Sequence, residues 1–314
     1  MRILFALLFL AAAGIAAAAA PDAAGKPHVI FIIGDDEYKF DQSMPPIAKE
    51  LQDRYAMQCT VLLAQPDQAT RNNMPGLEAL AKADLAVFCL RFRELPDEQM
   101  KYIAEYTNSG KPIVGLRTST HAFNYTKRKD SPYAKYSCRD KTWDGGFGRQ
   151  VLGETWIGHY GAHQKESTRG LVAPGMEGCP IVKGCDDIWG PSDVYSITTL
   201  TGDSKPVIMG QVLTGMNPKD PPNAAKKPVP VAWIKTFTGD QGKAARVFTT
   251  TMGHNGDFQS EGFRRLMVNA SYWALGMEAQ IPAKSKVDLV GEYNPSPIGM
   301  GKHKKGMKPA DLKM

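Results

Sequence analysis

Five strand-length apolar runs, each cut off by polar residues, constrain this chain more than any other feature. They are residues 28–33, 57–63, 85–90, 111–116 and 245–250. They lack regular polar–apolar alternation, as strands of a sheet covered on both faces do. Helical spacing fills the intervals. Met44, Ile47, Ala48, Leu51 and Tyr55 recur on one face, with Ser43 as the expected cap. Met100, Ile103, Ala104 and Thr107 recur on another, opened by Pro96, Asp97 and Glu98 and stopped by Gly110. Strands alternating with helices predict βαβ units and a parallel sheet.

In such sheets ligands bind beyond the carboxyl ends of the strands. Three of those ends carry chemistry. Asp35, Asp36 and Glu37 follow the first run, as carboxylates for a base or for sugar hydroxyls. Arg117 to His121 follow the fourth run, and His254 and Asn255 follow the last. His254 and His121 are the expected acid–base pair, because imidazole titrates near neutrality. Arg117 is the expected anchor for an anion or hydroxyl, or else an ion-pair partner of Asp35 or Glu37. Ser119 is a candidate ligand contact, but His121 two residues on is badly placed to activate it as a nucleophile.

Residues 126–200 have no long period and read as an irregular insertion, a kind of segment that is usually functional or a binding rim. Short strands are expected at 154–158, 168–173 and 193–198, and longer ones at 207–213 and 231–235. Gly145 to Gly148 reads as a turn and not a phosphate loop, because no strand leads into it. Trp143, Phe147, Trp156 and Tyr160 are either core or a stacking platform for a sugar ring. His159 and His163 have the i, i+4 spacing of metal ligands on a helix, but Gly158 and Gly161 argue against a helix there. A divalent metal on these two, with Glu166 or Asp193 nearby, is therefore left open, and the cofactor is otherwise unknown. A last helix runs from a Ser260 cap to Gly276, with Phe263, Leu266, Met267, Ala270 and Trp273 inward.

Residues 1–20 read as a cleaved signal peptide: Arg2, an apolar run and an Ala-rich end. The expected product is exported, periplasmic or secreted, without stable membrane insertion. Residues 27–277 form the expected domain and 278–314 a basic tail, either disordered or laid on the surface by Tyr293 and Ile298. Most of the net charge of +6 gathers at residues 282–314, where seven Lys face Asp288, Glu292 and Asp311. A charged tail gives no groove for phosphates, so nucleic acid is not an expected partner. Cys179 and Cys185 could close a small disulfide loop.

The blocks GLRTSTHAF (115–123), LGETWIGHYGAH (152–163), CPIVKGCDDIW (179–189), VAWIKTF (231–237) and RVFTTTMGHNGDFQSEGFRRLMVNASYWALG (246–276) resemble the ThuA-like (trehalose utilisation) proteins. The resemblance spans most of 28–276. It implies an α/β, flavodoxin-like, class I glutamine amidotransferase-like three-layer sandwich with a mainly parallel sheet, and a small-molecule carbohydrate ligand. Amidotransferases of this fold carry a nucleophilic Cys at the turn where this chain has Arg117, Thr118 and Ser119, so glutamine hydrolysis is not expected. Many ThuA-like proteins have His at the Arg117 position and Asp at the His121 position. The expected function is binding or acid–base processing of a sugar or keto-sugar as a hydrolase, lyase or isomerase. The alternatives are a non-catalytic sugar-binding protein or a Ser-dependent hydrolase. An oligomer is left open.

Overall fold

The computed structural model describes residues 25–289 and 292–312. The expected signal segment lies outside them. Among the described residues no helix is long and apolar enough to cross a membrane.

The strands are β1 (His28–Gly34), β2 (Gln58–Leu63), β3 (Leu85–Leu90), β4 (Ile113–Leu116), β5 (His159–Tyr160), β6 (Thr168–Val172), β7 (Trp189–Gly190), β8 (Val194–Tyr195), β9 (Lys205–Val212), β10 (Val229–Thr238) and β11 (Ala244–Thr250). The main sheet runs β2-β1-β3-β4-β11-β10-β9-β6-β7, and β5 pairs separately with β8. From β2 to β11 every pairing is parallel. This is the 2-1-3-4-5 order of a flavodoxin-like sheet. From β11 to β7 every pairing is antiparallel. The sheet is thus mixed in equal parts.

Side chains of β1 divide by period two between the two faces. Val29, Phe31 and Ile33 join the core under α1 (Phe40–Tyr55) and α3 (Glu261–Ala274). Ile30 and Ile32 join the opposite core under α2 (Asp97–Asn108). That second core also takes Phe147, Val151 and Leu152 from the insertion. Phe147 packs 5.1 Å from Phe88 and 5.4 Å from Phe123, ring to ring. Here lies the reason for the Gly-rich turn: a Cβ on Gly148 would overlap the Thr120 carbonyl, so only glycine lets the insertion dock against the β4 turn.

Ser260 caps α3 as expected, accepting from Phe263 N at 3.1 Å. Ser43 does not cap α1. The helix starts earlier, at Phe40, after Lys39 in a left-handed conformation (φ 59°). The buried Lys39 ammonium stabilises that start by donating to the carbonyls of Asp36, Glu37 and Gly299. Residues 154–158 are not a strand; pairing begins at His159. Cys179 and Cys185 are free thiols, not a disulfide. The tail is laid on the body. Tyr293 Oη donates to Asn255 O at 2.7 Å, and Gln42 exchanges hydrogen bonds with Ser296.

Candidate functional site

The residue after β4 sets the geometry. Arg117 adopts φ 41° at the tip of the strand, a left-handed conformation uncommon for a non-glycine residue. Its guanidinium is fully buried between the rings of Tyr38 (4.1 Å) and Tyr195 (5.0 Å). It donates to Asp193 O at 2.9 Å and Thr251 O at 3.1 Å, and lies 3.5 Å from Asp193 Oδ1. Burial opposes its charge, and the flanking Tyr38 and Tyr195 together with the Asp193 and Asp257 carboxylates outweigh that cost and raise it above its usual range. Arg117 therefore ties the ends of β4 and β11 to the insertion. It is an internal counter-ion, not the exposed ligand anchor the sequence suggested.

Asp193 is the convergence point. Its carboxylate is 1% exposed, yet two partly exposed imidazoles reach it. His159 Nδ1 lies 2.5 Å from Oδ2 and His163 Nδ1 lies 2.8 Å from Oδ1. Both imidazoles remain about one-third exposed (34% and 31%). Burial alone would raise the Asp193 carboxyl; the bond from His159, the Arg117 charge and the bond from His163 together hold it below its usual range. The imidazole rings are 4.6 Å apart, and the Tyr195 and Trp156 rings flank His159 at 5.7 and 6.0 Å. His159 lies on β5 and Asp193 stands just before β8, so the short β5–β8 pair brings the two together.

A cleft of about 360 Å³ opens beside Asp193, lined among others by Gln164, Ser192, His254, Ser296 and Lys302. The tail thus forms one of its walls. His254 Nδ1 accepts the Gly256 N–H at 2.7 Å, which leaves Nε2 as the protonated nitrogen of the neutral ring. Burial, then the nearby Arg117 charge, pushes this imidazole down to about 3. It can donate a hydrogen bond at neutral pH but is a poor proton acceptor. His121 is buried between Phe92, Trp156 and Tyr195, and burial with the Arg91 and Arg117 charges holds it well below its ordinary value. The two histidines expected to exchange protons are both held neutral: His121 is a buried ring, and His254 is a part-buried ring that lines the cleft.

The other expected contacts serve mainly to hold the rim. Asp35 accepts from Glu37 N, Tyr38 N and Thr118 Oγ1 and is fully buried. Asp36 and Glu37 pair with Arg91 at 3.7 and 3.0 Å. Burial lifts the Glu37 carboxyl above its usual range despite Arg91. Ser119 Oγ donates to Phe88 O at 2.6 Å and is inaccessible, which excludes it as nucleophile or ligand contact in this conformation. Asn255 directs its amide to Ser296 O at 2.8 Å, fastening the tail instead of a ligand. Of the four candidate aromatics only Trp156 touches the histidine cluster; Phe147 is core, Trp143 packs on Tyr136, and Tyr160 lies under Lys226.

The model of the family described as ThuA: Trehalose utilisation matches residues 42–274. The chain belongs to the ThuA family. Among solved structures, a ThuA-like protein from Parabacteroides merdae ATCC 43184 is similar over 90% of this chain and 98% of that one, at 15% identity and a TM-score of 0.51. Weaker likenesses reach the mmIFT52 N-terminal domain (10% identity, 79% of this chain, 96% of that one, TM-score 0.41) and the exo-beta-1,4-mannosidase Op5Man5 from Opitutaceae bacterium strain TAV5 (8%, 80%, 36%, 0.37). No curated protein matches. Family membership supports a carbohydrate-related role in general terms, and the fold is that of a ThuA-like protein.

Sequence reasoning on this ThuA-family chain missed Asp257. Its carboxylate accepts from Gly253 N (2.8 Å), His254 N (3.0 Å) and Ser192 Oγ (2.8 Å). Burial raises it to about 6, against the pull of Arg117. The available signal was its place three residues after His254, the spacing of a reciprocal cap.

Proposed function

We propose that this ThuA-family protein binds a sugar or oxidised-sugar derivative in the rim cleft and processes it by acid–base chemistry, with the Asp193–His159–His163 cluster as the reacting centre. The observation that carries this reading is the single buried carboxylate shared by two half-exposed imidazoles. A carboxylate that fixes one ring nitrogen orients the ring and sets which nitrogen faces the ligand. Trp156 offers an apolar face beside the cluster, and the neutral His254 offers a hydrogen-bond donor to a ligand oxygen. Export directed by residues 1–20 is part of the same proposal, resting on Arg2 and the apolar run that follows.

A second reading, a sugar-binding protein without turnover, draws on the rim itself. The strand-end hydroxyls of Thr118 and Ser119 are both engaged internally and no nucleophile faces the cleft there. One assay separates the two. The protein is incubated with trehalose, other glycosides and their oxidised forms, and product formation and binding are both followed. Turnover that drops about 100-fold or more in His163→Ala supports the enzyme reading. Binding without product by the wild type supports the second, and full turnover in His163→Ala removes the cluster from the chemistry.

A further inference from the structure

We propose that His159 Nδ1, His163 Nδ1 and the Asp193 carboxylate together hold one first-row transition-metal dication. The role of such an ion in turnover rests on the reading above; its binding does not. Three chemically suitable ligand atoms, one from each residue, lie within 4.8 Å of one another. They come from β5, the loop after it and the residue before β8, so the small antiparallel pair and not a helix creates the constellation. The i, i+4 spacing in the sequence is incidental to it.

Zinc ligands lie about 2.0–2.2 Å from the ion, and in a tetrahedral shell they are then roughly 3.4 Å apart. The nitrogen–oxygen separations of 2.5 and 2.8 Å need to widen by about 0.6–0.9 Å to admit an ion, a side-chain adjustment open to two partly exposed imidazoles. Proton balance is simple. If each imidazole carries its proton on Nδ1, bonded to Asp193, a shift to the Nε2–H tautomer frees the Nδ1 lone pair without losing a proton. The Nε2 nitrogens then carry the protons.

The cluster is also supported from behind, as metal ligands usually are. Arg117 holds the Asp193 backbone carbonyl and lies beside the carboxylate. Its positive charge opposes a cation, but the Asp257 carboxylate in the same buried network offsets it through Ser192. Two imidazole nitrogens and one carboxylate suit zinc, iron, cobalt or manganese, whereas calcium and magnesium prefer all-oxygen sites. Three protein ligands leave positions open, and both imidazoles are about one-third exposed. Adjacent hydroxyl or carbonyl oxygens of a sugar derivative are the chemistry that would complete the shell.

The test uses the full chain, stripped with chelator and offered Zn²⁺, Mn²⁺ or Co²⁺ one at a time. Gel-filtered protein is assayed for bound metal, and the Co²⁺ form for visible absorption. The wild type is expected to retain one equivalent of at least one of these ions. His159→Ala and His163→Ala, both at half-exposed positions and checked for folding by circular dichroism, are expected to bind it at least about 30-fold more weakly. Cys179→Ser, which removes a partly exposed thiol as a competing ligand, is expected to retain the equivalent. No stoichiometric retention by the wild type overturns the proposal, as does equal retention by both His variants. Absent metal with turnover still lost in the His variants sinks the ion and leaves the reacting centre standing. Metal retained by the wild type and lost from the His variants, with their turnover intact, supports the ion and sinks the reacting centre.

Discussion

The two halves of the sheet teach different things. The parallel half, β2-β1-β3-β4-β11, supplies the rim but uses its own strand-end side chains largely to hold itself together. Asp35 bonds Thr118, Ser119 bonds β3, and Asn255 bonds the tail. The antiparallel side and its connecting segment have less regular structure, yet they contribute His159, His163 and Asp193. The scaffold therefore holds the rim, and the insertion furnishes the groups proposed as the reacting centre. Arg117 is the joint between them.

Breaking that joint should have the largest effect on stability. Arg117→Leu leaves Asp193 and Asp257 buried without their cation, and loss of one partner of a buried pair costs about 3–5 kcal/mol. Urea unfolding would measure it; a change below about 1 kcal/mol would mean the two regions do not depend on this residue. Phe147→Ala tests the same dependence through packing. It empties a fully buried position between Phe88 and Phe123, with an expected loss of about 3 kcal/mol. Unfolding in two separate steps in that variant would show the insertion to be an independent unit.

Smaller effects sharpen the contrast. His254 is depressed from 6.5 to about 3 in the folded protein, so the unfolded chain binds the extra proton between those values. Its contribution to stability is complete above pH 6.5 and is lost as pH falls towards 3, at up to about 1.4 kcal/mol per pH unit. His254→Asn can still cap Gly256 and should flatten this part of the stability–pH curve. An unchanged acid limb would show that the imidazole is not held neutral. Ser119→Ala should cost about 1–2 kcal/mol, for the lost hydrogen bonds to Phe88 O and from Leu90 N, and leave ligand turnover unaltered. Loss of turnover in a stably folded Ser119→Ala would return the chemistry to the parallel half.

The parallel half was readable because each strand is a short apolar run and each helix has a regular buried face. Met44, Ile47, Ala48, Leu51 and Tyr55 are all buried along α1. The start of that helix was not readable, since it depends on Lys39 reaching Gly299, 260 residues away. The insertion gave little local signal, because β5, β7 and β8 have only two residues each. His159 and His163 stood out by spacing, but the carboxylate they share is 30 or more positions on and follows no pattern a sequence displays. The strand-end histidines misled for a physical reason. Both follow strands at the rim, while the burial of His121 by Tyr195 and Trp156 and the bond that holds His254 Nδ1 to Gly256 N are tertiary properties.

The central claim is that the chemistry resides in the Asp193 cluster and not at the strand-end histidines. Its most direct test is the turnover of trehalose and its oxidised derivatives by His163→Ala and His254→Asn, measured side by side on folded protein. The account predicts a kcat/KM at least about 100-fold lower for His163→Ala, with His254→Asn staying within a few-fold of wild type. The opposite ranking, with His163→Ala active and His254→Asn dead, would contradict it.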